Sequence, residues 1–236
     1  MMMKAQDIKK RLKSLGNGEQ AEISRRFFKT GPGGYGEGDV FLGIKVPVLR
    51  KLAREFAALP LQEAETLLAS GIHEDRLLAL LLLVRMFEQG DASVRQAIYD
   101  LYLKNTAYVN NWDLVDLSAP GIVGPYLADR SRAPLCRLAK SESLWERRIA
   151  IMSTFHFIKK NEFADTLKIA ATLIGDTHDL IHKAVGWMLR EIGKRHLQTE
   201  EKFLQQYYLK MPRTMLRYAI EKFPQIQRQR YLKGRI

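Results

Sequence analysis

Apolar residues recur at intervals of three and four along almost the whole chain, and this spacing constrains the fold more than any other feature. Ile8, Leu12 and Leu15 show it near the start, and the stretch Leu61–Leu68 repeats it. Such spacing collects apolar side chains on one face of a helix, whereas a strand needs an alternation of period two, which no segment sustains. The sequence therefore predicts an all-α protein.

Glycine and proline divide this helical pattern into roughly a dozen segments of ordinary helix length. We predict breaks at residues 16–18, residues 30–38, Pro60, Gly71, Gly90, Pro120, residues 175–176 and Pro212. Many helices joined by short turns favour a helical-repeat solenoid over a four-helix bundle, which has fewer and longer helices. No stretch of sequence repeats at a fixed period, and the length of 236 residues predicts a single domain over residues 1–236.

Positive charge is concentrated at the two ends of the chain. The formal net charge is +12; residues 1–54 carry 12 Lys and Arg against 5 Asp and Glu, and residues 182–236 carry 13 against 4. Residues 55–181 carry 13 against 17. This distribution favours a polyanionic partner, in particular a nucleic-acid backbone gripped from two sides.

Two classes of protein do not fit the sequence. The richest apolar stretch, residues 77–84, is flanked by Arg76 and Arg85, so no run reaches the ~18 residues of a membrane-spanning helix. The first residues, MMMKAQDIKKRL, read as a basic amphipathic helix without the cleavage site of a signal peptide. We therefore expect a cytoplasmic protein without a membrane partner.

Cysteine and histidine usage predicts neither a metal nor a cofactor. Cys136 is the only cysteine, which excludes a disulfide within the chain and a cysteine-based zinc site. We expect it to be a small buried core residue rather than a nucleophile. The five histidines form no HExxH motif, although His178 and His182 are spaced to share a helical face.

The stretch KTGPGGYGEGD, residues 29–39, interrupts the helical pattern. It formally satisfies GxGxxG, but a helix precedes it and no helix opens from it, so a dinucleotide site is rejected. Two interpretations remain open. The stretch is either a flexible connector between the second and third helices or a loop whose backbone approaches a nucleic acid, flanked by Lys29 and Lys45.

The segment NNWDLVD contains the first candidate site residues. On a helix, Trp112 and Asp116 are four residues apart and share a face. Asp116 stands between Val115 and Leu117, where burial of a carboxylate without a partner is costly. A structural role for Asp116, as a cap or an arginine partner, is the alternative.

A second candidate segment, LWERRIAIMSTFHFIKK over residues 144–160, predicts one amphipathic helix. Its apolar stripe includes Trp145, Ile149 and Phe155, and we expect Trp145 to pack in the core. Arg148 borders the stripe, where it is placed to reach either a phosphate or Asp116.

Four segments together resemble the AlkD family of bacterial DNA alkylation repair glycosylases. They are FLGIKVP (residues 41–47), NNWDLVD (residues 110–116), LWERRIAI (residues 144–151) and HKAVGWMLREIGK (residues 182–194). Their order and approximate spacing are those of the family, and the combination is far more specific than any one segment.

The resemblance implies a right-handed solenoid of HEAT-like helix pairs with a concave basic surface that binds duplex DNA. We expect a monomer that is nucleoid-associated when bound. The resemblance also implies a monofunctional glycosylase that excises cationic N3-alkyladenine and N7-alkylguanine without drawing the base into a pocket. The family's lesion-facing residues fall on Trp112, Asp116, Arg148 and Trp187, all of which keep the family's residue type. Phe27 stands where a tyrosine is expected, so it keeps an aromatic face and loses a hydroxyl.

These residue types suit the excision of a cationic base. Because such a base leaves as a neutral molecule, no general acid is needed, and one carboxylate, Asp116, suffices to stabilise the oxocarbenium-like sugar and orient water. The indoles of Trp112 and Trp187 supply cation–π contacts, and Arg148 a phosphate contact. Further DNA contacts are expected from Phe27, Lys29, Lys45, Arg50, Lys183 and Arg190.

Two other functions stay open on the sequence. The first is a non-catalytic member of the same superfamily that binds branched or distorted DNA through its basic surface. The second is a HEAT-type scaffold for other proteins, against which the basic ends of the chain argue. The set Trp112, Asp116, Arg148 and Trp187 favours the glycosylase over the non-catalytic DNA binder, because a protein that only binds DNA has no use for a carboxylate that faces a polyanion.

Overall fold

The computed structural model describes residues 3–236, and within them the regular structure is helical. The described residues contain fifteen α-helices, two short 3-10 helices and a single isolated parallel bridge, between Val40 and Ile72. The all-α prediction is confirmed. Contacts within the chain divide it into two compact units, Met1–Ile122 and Val123–Ile236, called here the first and second units.

The first unit is built around one buried helix, α5. Its α-helices are α1 (Ala5–Ser14), α2 (Gly18–Phe27), α3 (Val46–Glu55), α4 (Leu61–Leu68), α5 (His73–Gln89), α6 (Ala92–Lys104) and the first part of α7 (Trp112–Tyr126). Residues 77–83 of α5 are all buried, so this helix is apolar on every side, as expected of a helix at the centre of a core. Helices α3, α4 and α6 pack against it.

The second unit is built around α12. Its remaining α-helices are α8 (Ala133–Leu138), α9 (Leu144–Ser153), α10 (Phe155–Ile158), α11 (Ala164–Thr172), α12 (Asp179–Gly193), α13 (Leu197–Tyr207), α14 (Arg213–Ala219) and α15 (Gln225–Leu232). Helices α9, α11, α13 and α14 pack on α12. A Cβ atom added to Gly186 would lie 2.4 Å from the carbonyl oxygen of Met215, so glycine allows α12 and α14 this close approach.

Most of the predicted breaks coincide with helix ends, but the break predicted at Pro120 is wrong. Helix α7 runs through Pro120 to Tyr126. Leu114, Val115 and Ile122 of this helix are fully buried, and their burial stabilises the helix by more than the ~3 kcal/mol that an interior proline costs.

The single helix predicted over residues 144–160 is also wrong, because the chain forms α9 and α10 with Thr154 between them. The hydroxyl of Ser153 donates to the carbonyl oxygen of Ile149, and that of Thr154 donates to the carbonyl oxygen of Ile151. Such side-chain bonds to the backbone compete with the helical ladder and explain the interruption. Cys136, expected to be buried, is half-buried on α8.

Across residues 3–236, each helix is too short or too polar to cross a bilayer. The single domain over residues 1–236, the handedness of the solenoid and its concave surface stay predictions.

Candidate functional site

A pocket of about 610 Å³ in the first unit collects half of the predicted site residues. Its walls come from α2, α3, the segment before α3, the start of α5 and the first turns of α7. The predicted site residues that line it are Phe27, Lys45, Arg50, Trp112 and Asp116. Trp112 and Asp116 thus share a face of α7, as their spacing indicates.

Stacked aromatic rings form the floor of this pocket. The ring of Phe28 lies between those of Trp112 and Phe41, at centroid distances of 5.4 and 5.1 Å and with interplanar angles of 23° and 16°. Phe27 meets Trp112 edge-on at 5.9 Å, and its side chain is 62% exposed. Stacking of this kind fixes the plane of the Trp112 indole and leaves Phe27 at the open rim.

Three residues that the sequence analysis missed form a hydrogen-bonded chain beside the pocket. Nδ1 of His73 lies 3.2 Å from Oδ2 of Asp39, and Nε2 of His73 lies 2.8 Å from Oδ2 of Asp113. His73 and Asp39 are buried, and the side chain of Asp113 is 17% exposed. We call Asp39, His73 and Asp113 the relay.

The charges of the relay are set by its surroundings. Burial alone would lower the pKa of His73, but its hydrogen bonds to Asp113 and Asp39 raise the pKa to about 9. Burial alone would raise the pKa of Asp39, but the hydrogen bond from His73 and the charge of Arg76 lower it. The Asp39 carboxylate also accepts from Arg76 at 2.5 Å and from Asn111 at 3.1 Å.

A second buried carboxylate, that of Glu74, holds the backbone that leads into α3. It accepts hydrogen bonds from the N–H groups of Leu42, Gly43 and Ile44 at 2.7 to 3.1 Å. Gly43 has a φ of +80°, and a Cβ atom there would lie 2.2 Å from the carbonyl oxygen of Asn17, so only glycine fits. This arrangement places Lys45 at the edge of the pocket.

The glycine-rich stretch connects α2 to α3, as predicted, and it is folded rather than extended. Its backbone forms successive turns, with bonds from Gly34 to Gly31 and from Glu37 to Gly34. The hydroxyl of Tyr35 donates to the carbonyl oxygen of Phe27 and accepts from Nε1 of Trp112, each at 3.2 Å. Lys29 lies at its start with Nζ 5.9 Å from the Tyr35 ring. The stretch therefore contributes a wall of the site; an approach of its backbone to DNA stays a prediction.

In the second unit, Trp187 lies half-buried on α12. Its Nε1 donates to Oε1 of Glu191 at 3.3 Å, and its ring centroid lies 6.2 Å from that of Phe155. Lys194 and Arg195 pair with the same Glu191 carboxylate at 2.5 and 3.2 Å. This cluster fixes the edge of the Trp187 indole.

The predicted cations of the second unit already have partners on the protein. Arg148 is 4% exposed, and its Nη1 donates to the carbonyl oxygen of Leu180. Lys183 pairs with Asp179 at 2.7 Å, and Arg190 pairs with Glu221. Phosphate contacts by these three residues stay predictions, and the burial of Arg148 counts against a direct one. The approach of Trp187 and Arg148 to Asp116 also stays a prediction.

The two histidines that are spaced to share a helical face, His178 and His182, have local structural roles. Nδ1 of His178 accepts from the backbone N–H of Leu180 and caps α12, while Nε2 of His182 bonds to the carbonyl oxygen of Asp176. Both nitrogens of His73 face carboxylates, so a protonated His73 offers no lone pair to a metal. No set of three His, Cys, Asp or Glu side chains within residues 3–236 is placed to hold a metal ion.

Comparison with known proteins identifies the family. The chain belongs to the DNA alkylation repair enzyme family, whose model matches residues 8–223. No curated protein matches the chain by sequence.

Solved structures agree with this assignment. A predicted DNA alkylation repair enzyme from Enterococcus faecalis has a TM-score of 0.69 at 20% identity, covering 89% of this chain and 97% of that one. AlkD2 from Streptococcus mutans has a TM-score of 0.54 at 17% identity, covering 94% and 97%. At such identities the likeness establishes the fold alone, and the predicted AlkD-like helical-repeat fold is confirmed.

Proposed function

We propose that this member of the DNA alkylation repair enzyme family is a monofunctional DNA glycosylase. Its substrates are duplex DNA bases that carry a positive charge, N3-alkyladenine and N7-alkylguanine. It hydrolyses the N-glycosidic bond without flipping the base and without a cofactor, and it acts as a monomer where the DNA is, in the cytoplasm at the nucleoid.

The observation that carries this proposal is a carboxylate and an indole on one wall of an aromatic pocket. Asp116 and Trp112 both line that pocket, with Lys45 and Arg50 at its edge. Of the three carboxylates that line the pocket, Glu74 holds the backbone and Asp113 bonds to His73. A carboxylate repels a DNA backbone, so we propose for Asp116 a role other than DNA binding. Stabilising the positive sugar that forms as a cationic base departs is such a role.

The indole supports the same chemistry. A cation over an aromatic face is stabilised by about 0.5–2 kcal/mol, depending on how well water is excluded. Phe28 and Tyr35 hold Trp112 by stacking and by a hydrogen bond to Nε1, so its face is fixed before a substrate arrives. We assign Trp187 the same role, and we keep Arg148 in the lesion-facing set as the phosphate contact that the family resemblance implies.

Single-turnover release of 7-methylguanine from methylated duplex DNA tests the proposal. We expect the native chain to release the base and Asp116→Asn to release it about 10²-fold or more slowly, with DNA affinity retained or increased. Asp100→Asn is the matched control, because Asp100 is an exposed carboxylate on α6 outside the pocket. Uracil and 8-oxoguanine, which leave poorly, should be released slowly or not at all.

Other outcomes would redirect the assignment. Equal rates for the native chain and Asp116→Asn would remove Asp116 from the mechanism. A native chain that binds duplex DNA tightly and releases no base would instead support the non-catalytic DNA-binding function. Release of uracil as fast as 7-methylguanine would contradict the requirement for a cationic base.

A further inference from the structure

The relay joins three parts of the first unit that are far apart in the sequence. Asp39 ends the glycine-rich stretch, His73 is the first residue of α5, and Asp113 is the second residue of α7. The chain of bonds passes through the buried imidazole, which packs on the ring of Phe41 at a centroid distance of 4.4 Å. The relay therefore connects the start of α7 to the core.

A positive charge on His73 is unfavourable where this residue lies, buried and at the N-terminus of α5. The N-terminus of a helix disfavours positive charge, and burial disfavours it further. Buried ionic groups add little net stability compared with a well-packed apolar side chain, and their best-attested benefit is a unique geometry. The relay therefore fits a device that sets geometry better than one that adds stability.

The geometry that it sets is the rotation of the first turn of α7. Asp113 follows Trp112 directly and precedes Asp116 by three residues, so all three lie within the first five residues of α7, just over one helical turn. Each residue advances the helix by about 100°, so a first turn rotated by a fraction of that angle would point Trp112 and Asp116 away from their places in the pocket. The hydrogen bond that His73 donates to the carboxylate of Asp113 opposes such a rotation.

We propose that the relay is a positioning device that fixes the first turn of α7 and so orients Trp112 and Asp116 in the pocket. The inference rests on the proposed function for its catalytic consequence. Asp39, His73 and Asp113 are positioning residues in it, since they act through Trp112 and Asp116 and not on the reacting atoms.

The relay should hold only while His73 is protonated. The charged groups around His73 are Asp39 before α3, Asp113 on α7, and Glu74 and Arg76 on its own helix, where Arg76 bonds to Asp39. Because the two carboxylates keep the pKa of His73 at about 9, the imidazolium persists at neutral pH and is lost only in alkali.

Nitrogen NMR of the full-length protein tests the positioning directly. We expect both ring nitrogens of His73 to stay protonated from pH 6 to about 9, and the indole Nε1–H resonance of Trp112 to move in step with the titration. Asp113→Asn should lower the midpoint by at least about one pH unit. Ser118→Ala is the control, because its hydroxyl bonds to Tyr102 on the buried side of the same helix; this variant should leave the titration unchanged.

Excision gives a second measurement. At each pH, the ratio of the native rate to the His73→Gln rate cancels effects of pH on the substrate. We expect a ratio of about tenfold at pH 7, a size typical of a misplaced reacting group, falling towards one above pH 9. Ser118→Ala should keep a rate close to that of the native chain.

Three results would overturn the inference. They are a neutral His73 at pH 7, a Trp112 indole resonance that does not follow the titration, and a loss of rate in Ser118→Ala equal to that in His73→Gln. If the native chain releases no base at all, the proposed function fails, while the NMR titration still decides the positioning.

Discussion

The two units of this protein differ in charge, and the aromatic pocket lies in the less basic one. Residues 1–122 carry 16 Lys and Arg against 15 Asp and Glu, whereas residues 123–236 carry 22 against 11. The first unit, nearly balanced in charge, holds the aromatic pocket with Trp112 and Asp116. If the proposed function holds, the second unit supplies most of the positive field that attracts the polyanion, and the first unit supplies the carboxylate for the chemistry.

Each unit contains a buried titratable group, His73 in the first and Glu200 in the second, and the two groups are accommodated differently. In the first unit, His73 is charged and has a carboxylate on each ring nitrogen. In the second unit, Glu200 is 2% exposed, and its Oε1 has no hydrogen-bond partner among the residues described. Burial and the neighbouring charge of Glu201 raise the pKa of Glu200 to about 8. Of these two groups, His73 keeps its charge by pairing with two carboxylates, whereas Glu200 is neutralised by protonation.

Substitution of Glu200 should give the largest effect. Because its folded-state pKa of about 8 exceeds the ordinary 4.5, the free energy of unfolding falls as the pH rises from about 4.5 to 8. Glu200→Gln removes this loss, so its advantage over the native chain should grow from near zero at pH 5 to about 4 kcal/mol at pH 9. Urea unfolding at pH 5, 7 and 9 measures it.

The exposed carboxylate Glu142 supplies the control for that measurement. Glu142→Gln should show the same pH dependence as the native chain. A stability difference between Glu200→Gln and the native chain that stays constant with pH would show that the Glu200 carboxyl ionises normally in the folded protein.

Removal of equal charge from each unit should separate their contributions to DNA binding. One variant changes four exposed cations of the second unit to Gln: Lys202, Lys210, Arg217 and Lys233. The other changes four exposed cations of the first unit: Lys4, Lys10, Arg11 and Arg54. We expect the second-unit variant to weaken binding of unmodified duplex by about 10- to 100-fold at low salt and to flatten its salt dependence, with a much smaller effect in the first-unit variant. Fluorescence anisotropy at 50 and 200 mM salt measures the DNA affinity of both variants. Equal losses of affinity would contradict a larger contribution of the second unit to DNA binding.

The smallest expected effect concerns the hydroxyl of Tyr35. Tyr35→Phe keeps the ring and removes the acceptor for Nε1 of Trp112, so excision should slow about fivefold, the size of one neutral hydrogen bond. Tyr108→Phe, at an exposed tyrosine outside the pocket, should leave the rate unchanged. Single-turnover rates of both variants decide whether Tyr35 belongs to the site.

The sequence was sufficient for the features that depend on local periodicity. The three-and-four spacing predicts the helices, and the i, i+4 spacing of Trp112 and Asp116 predicts their common face. It failed at two places for different reasons. Burial of Leu114, Val115 and Ile122 carries α7 through Pro120, and local hydroxyl bonds to the backbone at Ser153 and Thr154 divide a predicted helix.

The relay could not be found in this way, because 34 and 40 residues separate His73 from its two partners. A histidine at a helix start followed by acidic residues is an ordinary pattern on the surface of a protein. The available signal was the pair of aspartates in NNWDLVD, of which only Asp116 drew attention. Tyr35 was missed for a similar reason, since glycines around it favoured a connector.

The folded stretch at residues 29–39 contributes two separate contacts to the pocket region. Tyr35 supplies the hydroxyl that accepts a hydrogen bond from Trp112, and Asp39 supplies a carboxylate to His73. One segment thus holds two side chains of the pocket. Replacing the stretch by a short connector would remove both contacts at once. An insertion or deletion between α2 and α3 would therefore change the contacts at the start of α7, a helix that begins more than 70 residues later in the chain.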